Sequence, residues 1–534
     1  MPQSIYQVIK NHVGEDGLLP ADFSLAGLQY ASDPYVRDGA RDAALFFHER
    51  RRRIAPDEFT EVFSLFAEGD FTEAFALLQA LLERHSLVRS LDIVVEGLRG
   101  ISNNGDPYAF INQLIQLLTE TSDAELLKFA LLGLENVALE RLPSVKETIL
   151  TLALCNEFTF FASLVASHWP DGDVLLHRMA AKVRGWGRTL LVPRLNLHDK
   201  DVNLWLLEEG RKNEASPEYT ATVILSRSLL PSVLQDPELD EEYFQDYSEL
   251  FLSSIKAEPM LNTFEDLNPV QQIELSELWI SHVDQFSLNA TSCEILLRLG
   301  EYFQFLQMMM DNEEAASDFD DSNSSTKDLP DLEPYLEYRE EITKLAIMLE
   351  GMIDVHLCLS IIQNERGEAA VLELQDIMGM LPRPQDIIEQ IKEDPQENFA
   401  AIAVLMDHPD GYKPVLRFFI KRLPLNDMAK GPGGKRESSR LTAEEELLIE
   451  LLRCMRLTPW QGRELLLTGL QSSHPSCRLS ALMTLQIWMV YAGKPLRAQD
   501  GDLQYLLSAL HRFEDKPLLR YYLYDISHMY VRKK

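Results

Sequence analysis

Asp33-Pro34-Tyr35-Val36-Arg37-Asp38-Gly39-Ala40, with Ala44 one turn further on, is the stretch that decides the fold. Proline suits the first turn of a helix because its missing N–H would be unpaired there, and an aspartate just before it can cap the remaining orphan amides. The pattern predicts a helix begun at Asp33-Pro34, with Val36, Ala40 and a later apolar residue turned inward. Downstream of Asp57 the same logic continues. Phe59, Val62, Phe63 and Phe66 recur at helical spacing, Gly69-Asp70 breaks the run, and Phe71, Phe75, Leu78 and Leu82 resume it. Two apolar stripes joined by a Gly-Asp break predict a helix hairpin.

The unit returns in weaker spelling as Ser122-Asp123-Ala124-Glu125-Leu126-Leu127 with Ala130 and Leu134, and near the C-terminus as Pro475-Ser476-Cys477-Arg478 with Ala481 and Leu485. Its layout resembles the turn and second helix of a HEAT-type repeat, while Gly69-Asp70-Phe71 with Ala74 and Leu78 resembles the second helix of a tetratricopeptide repeat. Both are paired antiparallel helices. Arg478 keeps the place of Arg37, whereas Leu127 stands there in the middle copy. In repeats of this type that arginine reaches a carbonyl or acid of its neighbour, a structural role. No stretch alternates apolar and polar residues for long enough, with enough β-branched residues, to make a sheet. The chain therefore reads as all-α, an α-solenoid of HEAT-like, partly TPR-like, antiparallel helix pairs.

A chain of 534 residues exceeds what one core usually serves, which calls for several domains or a stack of repeats. Pro56, Pro143, Pro170, Asp236-Pro237, Asn268-Pro269 and Asp394-Pro395 punctuate it into helices with short connections. Two stretches break the pattern. Asp311 to Pro334 is acidic and nearly free of apolar residues, and Asn426 to Thr442 holds Gly431-Pro432-Gly433-Gly434-Lys435-Arg436. The expected organisation is a helical-repeat segment at 1–310, an acidic linker at 311–334, a middle helical segment at 335–425, a Gly/basic linker at 426–442 and a HEAT-like segment at 443–534.

Charge is lopsided, with 84 Asp plus Glu against 50 Lys plus Arg and a net −34. Such a surface repels nucleic-acid phosphates and anionic lipid heads, so neither is expected as a partner, and solubility is its ordinary use. Cys155, Cys293, Cys358, Cys454 and Cys477 are scattered without a Cys-x-x-Cys pair, as expected of buried thiols in a reducing cytoplasm. Met1 to Asn11 has no basic region leading into an apolar run, so no secretory signal is expected. Leu479 to Gly493 is shorter than the roughly 20 apolar residues that span a bilayer and reads as a buried helix.

Chemistry-bearing motifs fail one by one. A phosphate-binding loop at Gly434-Lys435 would need glycine where Ala429 stands and Ser or Thr where Arg436 stands. An EF-hand begun at Asp318 would need Gly and Glu where Asn323 and Leu329 stand. No cysteine has the glycine two residues on that a haem-thiolate loop uses. Asp525 with His528 is half of a di-iron carboxylate pattern, and His474 with Cys477 is half of a zinc site or simply a helix start. His282, Asp284 and His356 match an iron triad on paper, on a chain without that triad's usual β-barrel. Gly185-Trp186-Gly187 opens a dinucleotide fingerprint that ends on Leu190 instead of glycine. No cofactor is recognisable.

The most distinctive run is Lys182-Val183-Arg184-Gly185-Trp186-Gly187-Arg188, continuing through Val192, Arg194-Leu195, Trp205-Leu206-Leu207, Glu209-Gly210, Asn213 and Tyr219. Together with Val36-Arg37-Asp38-Gly39 it resembles a family of bacterial helical-repeat proteins, some of which carry the label limonene hydroxylase. The resemblance implies an NAD(P)H- and oxygen-dependent monooxygenase acting on a small apolar terpene, giving carveol or perillyl alcohol; it brings no catalytic residues to carry over. Read from its residues, the run has two meanings. Arg184, Arg188 and Arg194 around Trp186 make a positive spot able to bind an acidic peptide or an anion. Alternatively, Gly185 and Gly187 let helices approach closely around a packed tryptophan in an inter-repeat joint. The expected function is a scaffold that binds a protein partner; the alternative is the monooxygenase.

Overall fold

Helix starts are written plainly into this chain. In the computed structural model the side chain of Asp123 accepts from the amide of Leu126, Asn268 from Gln271 with Pro269 at the first helical position, and Thr442 from Glu445, whose own side chain reaches back to the Thr442 amide. Each satisfies amides that a helix end leaves open. The structure describes residues 3–25, 37–47, 56–236, 238–257, 261, 263–317, 332–380, 383–393, 399–407, 411–431, 441–491, 501–514 and 516–531. Among them there is no strand, and the protein is all-α. No single helix among the described residues is long and apolar enough to cross a membrane.

The chain divides into two units, residues 1–195 with 405–534, and residues 196–404. This differs from the expected linear series. The N-terminal and C-terminal segments form one unit, tied by ion pairs such as Arg89 Nη1 to Asp525 Oδ1 at 2.9 Å, and the boundary falls near 195 instead of 310. Asp33 to Val36, residues 318–331, Pro237, Asp394-Pro395 and residues 432–440 lie outside the described residues. Asp311 to Ser317, expected in the acidic linker, is the last part of a long helix.

In the first unit, the opening motif folds otherwise than predicted. Arg37 to Gly39 form a turn, and helix α1 runs Ala40–Phe47 with Ala40 and Ala43 buried. Gly39 takes φ +82°, which a residue inside a helix cannot. The hairpin matches the prediction closely. Helix α2 (Thr60–Glu68) ends on Gly69 in the left-handed conformation, Asp70 caps helix α3 (Phe71–His85), and Phe59, Val62, Phe66, Leu78 and Leu82 are buried. Helix α4 (Ala124–Gly133) and helix α5 (Trp186–Leu191) complete the part that matters below residue 195.

The second unit is built on helix α6 (Pro269–Val283), helix α7 (Ala290–Ser317), helix α8 (Arg339–Met352) and helix α9 (Val355–Arg366), with α8 and α9 both packed on α7. Back in the first unit, helix α10 (Ala443–Cys454) packs against helix α11 (Pro475–Tyr491), and helix α12 (Pro517–Val531) covers α11. The apolar run from Leu479 is a buried helix, as expected: Leu479, Leu482, Leu485 and Trp488 are all shielded. Arg478 plays the structural part assigned to it, with Nε on Glu514 Oε2 at 2.8 Å and Nη1 on the carbonyls of Ser472 and Ser473 at 3.0 Å.

Candidate functional site

Trp186 is 1% exposed and Arg188 4%, so neither can present a surface to a partner. The positive-spot reading fails for these two residues for a physical reason: Arg188 Nε donates to the carbonyls of Ala180 and Val183 at 3.0 and 2.9 Å, closing the end of the preceding helix. Arg184 is exposed, and its carbonyl accepts from Asn156 Nδ2 at 2.7 Å. Arg194 is half-buried with its guanidinium over the Phe160 ring at 5.6 Å, and burial pulls its pKa down. The packed-joint reading describes this run.

Asn156 is the clasp of that joint. Its Oδ1 accepts from the amide of Gly187 at 2.8 Å while its Nδ2 holds the carbonyl of Arg184. A Cβ on Gly187 would come within 2.7 Å of that Oδ1, and one on Gly39 within 2.7 Å of the Asn156 carbonyl. Two motifs nearly 150 residues apart thus meet on one turn, which explains their glycines.

Beneath it lies a largely buried ionic cluster. Lys128, fully buried on α4, places Nζ 2.6 Å from Asp42 Oδ2, 3.1 Å from Glu125 Oε1 and 2.5 Å from Glu157 Oε1. Glu157 also accepts from the Gly39 amide at 2.7 Å, and Glu125 from the Leu87 amide at 2.6 Å. Arg41 approaches Glu125 at 3.6 Å and lies over the Tyr521 ring at 3.6 Å. Burial works against the Lys128 charge, but the three carboxylates outweigh it and hold its pKa well above the ordinary value. Burial pushes the Asp42 carboxyl up to about 6 despite Lys128. Three acids facing two cations leave one negative charge over, and Asp42, whose Oδ1 has no hydrogen-bond partner, is where it is held least well.

The half-sites noted in the sequence have local explanations. His282 is buried with Nε2 on the Leu234 carbonyl at 2.6 Å. His474 Nδ1 accepts from the Ser476 amide at the start of α11, the helix-start reading of His474-x-x-Cys477. Asp525 is held by Arg89 and by Gln486 Nε2 at 2.5 Å. Among the described residues no group of three His, Cys, Asp or Glu side chains is placed to hold a metal.

Two hollows open to solvent in the second unit. A cleft of about 460 Å³ lies between the start of α6, the middle of α7 and the turn before α8, walled by Leu267, Pro269, Phe305, Leu306 and Pro334. Its floor is a closed ring of hydrogen bonds. Tyr302 donates to Gln272 Oε1 at 2.9 Å, Gln272 Nε2 donates to Tyr335 at 3.2 Å, and the two phenols meet at 3.2 Å. The Gln272 amide is oriented by the carbonyls of Phe264, Glu265 and Leu267, which need its NH₂ side. Because Tyr302 gives its proton to Gln272, the proton between the phenols comes from Tyr335, and neither has one left for a ligand. Burial raises the Tyr302 pKa, so its phenol stays a neutral partner in the ring. Toward a ligand the two phenols can therefore only accept hydrogen bonds.

Beside it, α8 bears a shallow hollow of about 590 Å³ lined by Arg339, Lys344, Ile347 and Met348. Large apolar side chains of these elements stand in solvent: Met308 on α7 at 51%, Ile347 on α8 at 62% and Leu336 in the turn before α8 at 47% exposed, with Phe305 lining the cleft. The same elements carry exposed acids, Glu301, Glu337, Glu340, Glu341 and Glu350, and Asp311, which pairs with Arg339 at 3.1 Å. The sequence signal for this surface was weak, since Phe305 and Met308 on one helix, Leu336 in a turn and Ile347 on the next helix are separated along the chain. A Met or Ile out of register with the buried stripe of its own helix is the one trace it leaves.

Comparison with protein-family models, curated proteins and solved structures finds no match for this chain.

Proposed function

We propose that the chain is a helical-repeat scaffold, built from HEAT-like helix pairs, that docks a protein partner on the α7–α8 face of its second unit. One observation carries the reading: Met308 and Ile347 stand more than half exposed on α7 and α8, the helices near whose ends and middle the apolar cleft opens. Apolar residues displayed around a pocket and rimmed by charge are how docking sites are built. The rim here is acidic and the whole chain carries −34, so the partner segment is an amphipathic helix with apolar anchors flanked by Lys and Arg. Arg478 in its repeat role and the hairpin at 60–85 support the repeat architecture.

The test compares full-length protein with a Met308→Asp, Ile347→Asp double variant in cross-linked pull-downs from cell extract. A discrete protein recovered by the parent and lost by the variant, with the melting temperature unchanged, supports docking at this face. Recovery of nothing above background, or equal recovery by both proteins, would overturn it. Limonene turnover by purified protein with NAD(P)H, oxygen and added reductase would replace the scaffold with the monooxygenase that the sequence resemblance implies.

A further inference from the structure

We propose that Cys293 and Cys358 are an oxidisable pair that closes to an intramolecular disulfide by exchange with a small-molecule disulfide. In sequence the two cysteines look like scattered thiols. The fold brings them into one apolar cluster of the second unit, with Ala290, Leu297, Ile362 and Val371. Each sits in the first turn of its helix, Cys293 on α7 and Cys358 on α9, two helices that pack on each other, with both thiols buried in that cluster. The remaining three cysteines lie in the other unit, where Cys155 points at Asp38 Oδ2 and Cys477 at the Glu445 carbonyl, each at 3.8 Å.

The pair is chemically asymmetric. Their mutual interaction pushes the Cys293 thiol up and pulls Cys358 down. Cys358 is therefore the attacking thiolate and Cys293 the resolving thiol. Access comes from local opening of α9, a helix of 12 residues whose first turn exposes His356 and Leu357. The thiolate of Cys358 attacks one sulfur of R–S–S–R and expels R–S⁻, which takes up a proton. Cys293 then loses its proton to solvent and attacks the Cys358 sulfur of the mixed disulfide, expelling the second R–S⁻. The balance is two protein thiols plus one R–S–S–R giving one protein disulfide plus two R–SH, with no other oxidant. This proposal stands independently of the docking surface.

The experiment incubates reduced full-length protein with oxidised glutathione under native conditions and counts thiols. The expected result is a fall from the five thiols of the sequence to three, an intact mass lower by about 2 Da, and a non-reduced peptide map joining the Cys293 and Cys358 peptides. The Cys293→Ala variant should instead hold glutathione on Cys358 as a stable mixed disulfide. Five thiols that persist, a parent protein whose Cys358 adduct never resolves, or linkage through Cys155, Cys454 or Cys477 would overturn the proposal.

Discussion

Lys128→Met tests the ionic cluster on which the first unit is assembled. Methionine keeps the length and apolar stem of lysine but removes the charge. Lys128 is fully buried and faces three carboxylates at 2.5–3.1 Å, so the variant takes away the ammonium that Asp42, Glu125 and Glu157 share and leaves Arg41 beside Glu125. Deleting one partner of a buried ion group costs about 3–5 kcal/mol because the remaining charge stays desolvated. At roughly 2 °C per kcal/mol for a chain of this size, the main calorimetric transition should fall by about 6–10 °C. Adding Asp42→Asn removes the carboxylate held least well and should recover about half of the loss. Arg99→Met, which breaks the exposed pair with Glu96, is the control and should change stability by less than about 0.5 kcal/mol. A Lys128→Met protein that melts with the parent would refute the reasoning, since it would mean that the three acids are not held against one another by this ammonium.

Two further outcomes follow from the same region. Asp42 titrates near 6 in the folded state against 3.8 unfolded, so the native form binds the proton more tightly and its ionisation costs stability. Between about pH 4 and pH 6 the parent should therefore lose stability relative to Asp42→Asn as pH rises, with a constant difference above; Glu125, held low chiefly by Lys128 and Arg41, acts below this window and cancels in the comparison. Urea titrations of both proteins across that range check the slope, and a difference that is flat or of opposite sign would count against it. Gly39→Ala should cost clearly more than Gly69→Ala: both have positive φ, worth about 1–3 kcal/mol, but only at Gly39 does a Cβ meet backbone, the Asn156 carbonyl at 2.7 Å. Equal melting temperatures for the two variants would show that the joint at Asn156 is loose.

Local features of the fold were legible because they are encoded locally. Phe59 to Leu82 carry a 3.6-residue period with Gly69 and Asp70 in the capping places, and Asp123, Asn268 and Pro475 mark helix starts where helices start. The Asp33 motif misled because a helix period running through Asp38-Gly39 conceals a glycine needed for positive φ. The division into units was invisible for another reason. It rests on contacts such as Arg89 with Asp525, 436 residues apart, which leave no periodic trace. The Trp186 run was rightly picked out as distinctive, but rare residues gathered there because a tight buried joint demands them: glycines for clearance, tryptophan for volume and Arg188 for carbonyls. The cleft ring of Gln272, Tyr302 and Tyr335 and the Cys293–Cys358 pair join distant segments, and only packing reveals them.

The docking proposal is tested most directly by a photo-cross-linking amino acid placed at position 347 in the full-length protein, in cells, with position 174 as an equally exposed site on the other unit. The account predicts one discrete cross-linked protein from position 347, absent from position 174 and lost when Met308→Asp is added. No adduct from position 347, or the same adducts from both positions, would contradict it.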